Sequence, residues 1–381
     1  MDYLFQRKYS KSMVMVLPKK AEGTVWLIYE NVNGLSNRLY GNKKVEQMKE
    51  IHDKMEVDIA AYYEHKLNLC HQKNTHGFNQ LFRGEEAAIQ TIAAHNVHEN
   101  VSQIQQGGAS LLLFGHLTEQ LDFKKSGKDP TGLGRWTVMT LQGEGAQTWI
   151  VCRYNPCSNS RLNSGTSYQQ QRRFFVTEKG DLSCPRKKFL EDLTGLLNQW
   201  RDEGDRIMVW MDANENIYSK SIGKTLTHHE GLNMQEVIGK FTGKEIGPTF
   251  FWGSKPIDSI WATKDLVITH TCIMPAGFGV GDHRLFIIDF QETSMVGPAP
   301  FEIQRFQSRR LNTKASSGST KRYVTNLEKN IPKHCLIEKL GVLHCNFPKR
   351  KDFQRELNKL DRMSRDLMLH AKKKCRKIKS G

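Results

Sequence analysis

Arg206-Ile207-Met208-Val209-Trp210-Met211-Asp212-Ala213-Asn214-Glu215-Asn216 reads as a core strand that stops at a polar turn. Five apolar residues run unbroken and polarity then switches, as expected of a short strand buried on both faces. Side chains two apart on a strand share a face. Asp212 and Asn214 are therefore expected to present an acceptor and an amide to one place. Taken alone, Asp-Ala-Asn is an ordinary turn; it gains meaning only if other strands end the same way.

They do. Thr24-Val25-Trp26-Leu27-Ile28-Tyr29 is β-branched and aromatic and runs into Glu30-Asn31-Val32-Asn33-Gly34. Val57 to Tyr63 is a second strand, closed by Glu64-His65; an acid there needs a cation or a donor. Gln106-Gly107-Gly108 leads into the core strand Ser110 to Phe114. Arg135–Leu141 and Thr148–Cys152 form a hairpin whose second arm ends at Tyr154-Asn155-Pro156. Asp258 begins a strand, and Gly281-Asp282-His283 precedes the strand Leu285 to Phe290. Lys43–Met55 and Pro185–Trp200 carry helical apolar spacing. His65, His71, His76, His95 and His98 match no ligand spacing and are expected as solvated loop and helix histidines. Gly223-Lys224-Thr225 lacks the earlier glycine of a phosphate loop.

The chain has 381 residues, 38% hydrophobic and 25% charged, enough for one large domain and an appendage. The net charge of +16 points to a polyanionic partner. It is concentrated: residues 301–381 hold 22 Lys/Arg against 7 Asp/Glu. Eight dilute cysteines without a Cys-x-x-Cys pair suit a reducing compartment rather than a disulfide scaffold. No stretch approaches the roughly 20 apolar residues of a membrane span, and the start lacks a cleavage site. The expected location is nucleus or cytoplasm rather than outside the cell. Composition does not speak to oligomeric state.

Asn31, Asn33, Glu64, Tyr154, Asp212, Asn214, Asp258, Asp282 and His283 thus all fall at strand edges. In this order the motifs resemble the endonuclease/exonuclease/phosphatase family, and among its branches LINE-type retrotransposon endonuclease domains. The matching pieces are Asn31-Val-Asn33-Gly-Leu35, Asp58-Ile-x4-Glu64, Gly107-Gly108, Tyr154-x-Pro156, Asp212-x-Asn214, Thr249-Phe-Phe251, Ile257-Asp258 and Gly281-Asp282-His283. The resemblance spans residues 22–291. It implies a four-layer α/β sandwich, two mainly antiparallel sheets flanked by helices, with a DNA phosphodiesterase site at one edge.

On that resemblance Glu64, Asn33 and Asp282 are the expected ligands of Mg²⁺, with Mn²⁺ the alternative. Asp212 orients or deprotonates water and Asn214 holds it in line. His283 binds a phosphate oxygen with its ring fixed by Asp258; Asn31 positions Asp212 or the phosphate, and Tyr154 donates to phosphate. Four residues depart from the pattern. Glu30 stands where the family has an apolar or aromatic residue, Met211 where glycine is usual, Gly281 where serine is common. Cys157 replaces the asparagine of the apurinic enzymes, which weakens any claim of abasic-site specificity.

Residues 300–350 are expected as a linker and 351–381 as a basic amphipathic helical tail, with Lys372, Lys373, Lys374, Arg376 and Lys377 as phosphate contacts or a nuclear-targeting run. Two alternatives stay open. One is a phosphatase or phosphodiesterase of the same fold acting on phospholipid or inositol phosphate. The other is a catalytically inactive relic that only binds nucleic acid.

Overall fold

The computed structural model describes residues 20–36, 42–71, 77–82, 88–99, 104–143, 146–162, 164–218, 221–228, 232–297, 318–345, 353–373 and 375. The chain divides into two units, residues 1–302 and 303–381. Twelve strands are described, all in the first unit. They are β1 (Thr24–Asn31), β2 (Ile59–Tyr63), β3 (Ile89–Ala94), β4 (Ala109–Phe114), β5 (Gly127–Lys128) and β6 (Trp136–Gly143). They continue with β7 (Ala146–Tyr154), β8 (Arg206–Asp212), β9 (Gln235–Glu236), β10 (Asp258–Ala262), β11 (Ile268–Ile273) and β12 (Phe286–Gln291).

They form two six-stranded sheets, ordered β11-β12-β1-β2-β4-β3 and β5-β6-β7-β8-β10-β9. Each sheet has one parallel pair, β1 with β2 and β7 with β8. The remaining pairs are antiparallel. Reading the second order backwards superposes the two patterns: β1 corresponds to β8, β2 to β7 and β12 to β10. The sheets repeat one arrangement.

The quoted stretch is β8, with Ile207 to Met211 all fully buried. Its alternation is physical. Trp210 meets Tyr29 of β1, ring centroids 6.4 Å apart, in the layer between the sheets. Met211 points the other way and takes Arg153 Nη2 on its sulfur at 2.9 Å, where Arg153 stacks over Phe189. Phe189 belongs to α3 (Pro185–Asp202), one of six α-helices among the described residues of this unit with α1 (Lys43–Met55), α2 (Ser167–Lys179), α4 (Ser221–His228), α5 (Val237–Thr242) and α6 (Glu292–Val296).

Helix α3 starts at Pro185, whose missing N–H costs nothing there. It buries Phe189, Leu193, Leu197 and Trp200, and Trp200 stacks on Trp149 at 4.1 Å. Helix α1 begins at Asn42, whose side chain accepts from Val45 N. It packs Val45 and Met48 on the outer face of the first sheet with Trp26, Ile28 and Tyr62. Helix, sheet, sheet and helix therefore stack as an α/β sandwich with mainly antiparallel sheets, as expected from the sequence.

Two readings of the sequence are corrected. His65 is not solvated; it is fully buried, its Nε2 2.9 Å from Ala94 O and its Nδ1 accepting from Leu67 N. His95 is buried as well. His98 is exposed, as expected; His76 lies outside the described residues.

The expected linker at 300–350 also differs. It contains α7 (Gly318–Lys333) and α8 (Leu336–Cys345), which with α9 (Phe353–Lys373) form the second unit. Leu327, Ile331, Leu336 and Leu343 recur at helical spacing and pack with Leu360, Met363 and Leu367 of α9. The Arg, Ser and Gln-rich run before them obscured this periodicity. Helix α9 is the amphipathic helix expected near the C-terminus, and Lys372 and Lys373 close it. Lys374, Arg376 and Lys377 lie outside the described residues. No described helix is long and apolar enough to cross a membrane.

Candidate active site

The topology decides where the site falls. Parallel pairs put the ends of β1 and β2 at one edge, and likewise those of β7 and β8. The antiparallel neighbours β10 and β12 begin at that same edge: Asp258 pairs with Asp212, and Phe286 with Tyr29. Strand order therefore brings Asn31, Glu64 and the 282–283 loop to one edge of the first sheet and Tyr154, Asp212 and Asp258 to one edge of the second, and the Asn31–Asp212 contact joins the two edges.

The ends of β1 and β8 then make the same local turn. Asn33 N donates to Asn31 Oδ1 and Asn214 N donates to Asp212 Oδ1, each at 2.9 Å. These side-chain-capped turns are what Asn and Asp offer best. They require left-handed backbone at Asn33 (φ 43°) and Asn214 (φ 48°). Asn31 and Asn33, like Asp212 and Asn214, are joined by a turn, not by the strand alternation assumed from sequence. The two turns meet across the sheets where Asn31 Nδ2 donates to Asp212 Oδ2 at 2.8 Å.

Around this contact the other residues assemble. Asn33 Nδ2 donates to Asp282 Oδ2 at 2.8 Å. The Tyr154 hydroxyl donates to Glu64 Oε1. Asp258 Oδ2 lies 2.7 Å from His283 Nδ1, and ligand atoms of Asp212, Asp258 and His283 lie within 4.8 Å of one another. Asn214 turns away from this group, donating to Asn155 O at 2.8 Å and accepting from Cys157 Sγ at 2.7 Å. Of the seven described non-glycine residues with positive φ, Asn33, Glu64, Lys66 and Asn214 are four, so backbone strain concentrates at this rim.

Lys66 and Arg186 were not singled out from sequence, and Thr249, Phe250 and Gly108 were quoted only as parts of motifs. Lys66 Nζ lies 3.4 Å from Glu64 Oε2 and donates to Asn33 Oδ1. Its only sequence signal was a cation two residues after a buried-strand acid. Thr249 Oγ1 accepts from Ile257 N and Asp258 N, fixing the start of β10. Arg186 ties Pro156 O, Ala213 O and the Glu215 carboxylate together. Phe250 packs on His283 at 5.1 Å. Gly108 (φ +95°) lets its loop close over the Glu64 turn, where a Cβ would come within 2.5 Å of the His65 ring. In that closed loop Glu64 N donates to Gly108 O and Lys66 N to Gly107 O.

The electrostatics divide the cluster. Burial, then the neighbouring Asp258 charge, holds the Asp212 carboxyl well above the usual range, with His283 opposing. Burial alone would lower His283; the Asp258 charge and hydrogen bond, with Asp212 and Asp282, reverse this and raise it well above 6.5. A carboxyl whose pKa is raised is, once deprotonated, a stronger base than a free carboxylate, and beside it stands an imidazole held charged that can bind an anion. Burial also pushes Glu30 up to about 7, against the pull of the Gly281 and Val280 amides.

Glu64, Asp282 and the Asn33 carbonyl supply oxygen donors at the rim, the set a hard divalent cation takes. The Lys66 ammonium already sits against two of these oxygens, Glu64 Oε2 and Asn33 Oδ1.

No family profile matches the sequence, and no curated protein matches it. Solved structures do resemble it in fold. An AP endonuclease from Leishmania major is 13% identical, covering 70% of this chain and 88% of its own, TM-score 0.48. An endonuclease/exonuclease/phosphatase from Bacteroides vulgatus is 13% identical, covering 70% and 98%, TM-score 0.46. The endonuclease domain of TRAS1, a telomere-specific non-LTR retrotransposon, is 12% identical, covering 70% and 98%, TM-score 0.42. With each score below 0.5, what those proteins do remains a property of those proteins.

Proposed function

We propose that the chain is a divalent-metal-dependent endonuclease that hydrolyses DNA phosphodiesters, with a retrotransposon endonuclease as its source. The observation that carries this reading is the joined pair of turns, Asn31 on Asp212, beside the Asp258–His283 pair. Glu64, Asp282 and Asn33 would hold Mg²⁺ or Mn²⁺, which when bound supplies positive charge for the phosphate and its leaving oxygen.

The chain's own residues do the rest. Asp212, its carboxylate fixed by Asn31 Nδ2 and Asn214 N, accepts the proton of the attacking water. His283 keeps Nδ1–H on Asp258, leaving Nε2–H to donate to a phosphate oxygen. Tyr154 orients Glu64. Asn214 braces the 155–157 loop that carries on from Tyr154. The excess positive charge of residues 301–381, ending in Lys372, Lys373, Lys374, Arg376 and Lys377, adds sequence-independent attraction for a polyanion.

The test sets supercoiled plasmid beside a soluble inositol phosphate and a phospholipid vesicle, each with Mg²⁺, using the wild-type chain. Nicking of plasmid without phosphate release from the other two supports the proposal. Release from either of the others with intact plasmid makes the chain a phosphatase or phosphodiesterase instead. Plasmid binding without turnover of any substrate makes it a binding relic.

A further inference from the structure

Glu30 lies one residue before Asn31 and is only 1% exposed. Both carboxylate oxygens are used: Oε1 accepts from Gly281 N at 2.7 Å and Oε2 from Val280 N at 3.0 Å. The space is shaped for it. A Cβ on Gly279 would fall 2.0 Å from Glu30 Oε1, and one on Gly281 1.9 Å from Asn31 O. Neither glycine has a positive φ, so close approach, not backbone conformation, selects glycine at both. The glutamate and the two glycines, of which Glu30 and Gly281 stood out in the sequence, are one fitted contact.

The next two residues are Asp282 and His283. Their other flank is pinned by the Thr249–Phe251 loop, where Phe251 N donates to Asp282 O at 3.0 Å and Arg284 N to Thr249 O at 2.8 Å. The segment 280–284 is thus gripped between the end of β1 and that loop. Gln47 Nε2 adds a weaker tie to Gly279 O at 3.3 Å.

We propose that Glu30 is a positioning residue, a carboxylate latch that fixes the 280–281 main chain and so sets Asp282 at the cation-holding oxygens and His283 against the substrate phosphate. The latch itself stands on geometry; its effect on turnover rests on the nuclease reading above. Two charge-assisted hydrogen bonds to adjacent amides hold the main chain in one place, where an apolar side chain would only pack against it. A substrate-positioning group acts on kcat, because a small displacement of a reacting group costs rate before it costs binding.

Hydrogen exchange at the Val280 and Gly281 amides and plasmid nicking are measured for wild type, Glu30→Gln, Glu30→Ala, Gly279→Ala and the Glu30→Ala/Gly279→Ala double variant. Glu30→Gln keeps one acceptor and turns a donor on the other amide. Protection at these two amides should fall about 10-fold or more, with β1 amides unchanged. Nicking should fall about 10-fold or more in kcat with KM for DNA nearly constant. Gly279→Ala should mimic this by displacing the carboxylate. In the Glu30→Ala background the same alanine should add little, because the Cβ enters the vacated space. Unchanged amide protection in Glu30→Gln, or losses that multiply in the double variant, overturn the latch. Lost protection in a protein whose wild type nicks nothing keeps the latch and rejects the nuclease reading.

Discussion

Replacing Asp258 by asparagine should change the stability of the protein in a way that depends on pH. Asp258 and His283 are both buried and joined at 2.7 Å. The amide is nearly the same shape and can still accept from Nδ1–H, so what is lost is the charge in the hydrogen bond. Bonds to charged groups contribute about 1.5–3 kcal/mol and neutral ones about 0.5–1.5, a difference of ~1–2 kcal/mol. The raised folded-state pKa of His283 sets the pH window. Its contribution is fully present below about 6.5, the unfolded value, and is lost as pH rises through the folded value.

Asp212 works in the opposite direction. Its folded pKa is raised, second after burial, by Asp258, so above its unfolded value the native state carries a penalty that the asparagine relieves. Asp258→Asn should therefore destabilise by ~1–2 kcal/mol at pH 6 and by less at pH 9, where the His283 contribution is falling toward its loss near pH 10 and the Asp212 penalty has grown. Urea unfolding followed by tryptophan fluorescence measures this cleanly, because all seven tryptophans lie in the first unit. A loss equal at both pH values, or larger at pH 9, would refute the charged-imidazole description.

Other substitutions probe other parts of the structure. Gly108→Ala forces a Cβ to within 2.5 Å of the His65 ring at φ +95° and should cost about 2–5 kcal/mol. Gly115→Ala, at φ +60° in open space, should cost only about 1–2 in the same thermal melt; equal losses would mean that the His65 contact is not tight. Arg153 is fully buried with Nε and Nη1 unpartnered, so Arg153→Met should be neutral or stabilising by up to ~3 kcal/mol in urea. A large loss would show that the guanidinium has a partner the geometry does not reveal. Removing residues after Pro300 should weaken DNA binding and flatten the slope of log affinity against log salt. An unchanged slope would count against that region as a contact.

The fold was legible where burial is two-sided. β8, β1, β2 and β4 are runs of apolar residues that admit one reading, and α1, α3 and α9 carry clear stripes. β3 and β11 were not legible because they are edge strands, mostly half-buried, with threonine and polar residues interleaved. β5 and β9, two residues each, have no periodicity to read.

At the site, residue types and order were legible from the polar strand ends, while the contacts that join them were not. Alternation suggested that Asp212 and Asn214 share a face; instead a turn links them and Asn214 reaches toward Asn155. Lys66 was marked only by standing two residues after Glu64, and Thr249 only by its place in a motif; Arg186 acts on Glu215, 29 residues away, and nothing local to it marks that partner. Glu30 showed only as a departure from a motif. Its meaning depends on Gly279 and Gly281, some 250 residues away.

The most direct measurement of the central claim is nicking of supercoiled plasmid by the purified chain with Mg²⁺ or with a chelator, beside Asp212→Ala and His283→Ala. The account predicts relaxed circles from wild type with metal alone, and none from either variant or with chelator present. Nicking that persists in Asp212→Ala or His283→Ala would contradict it.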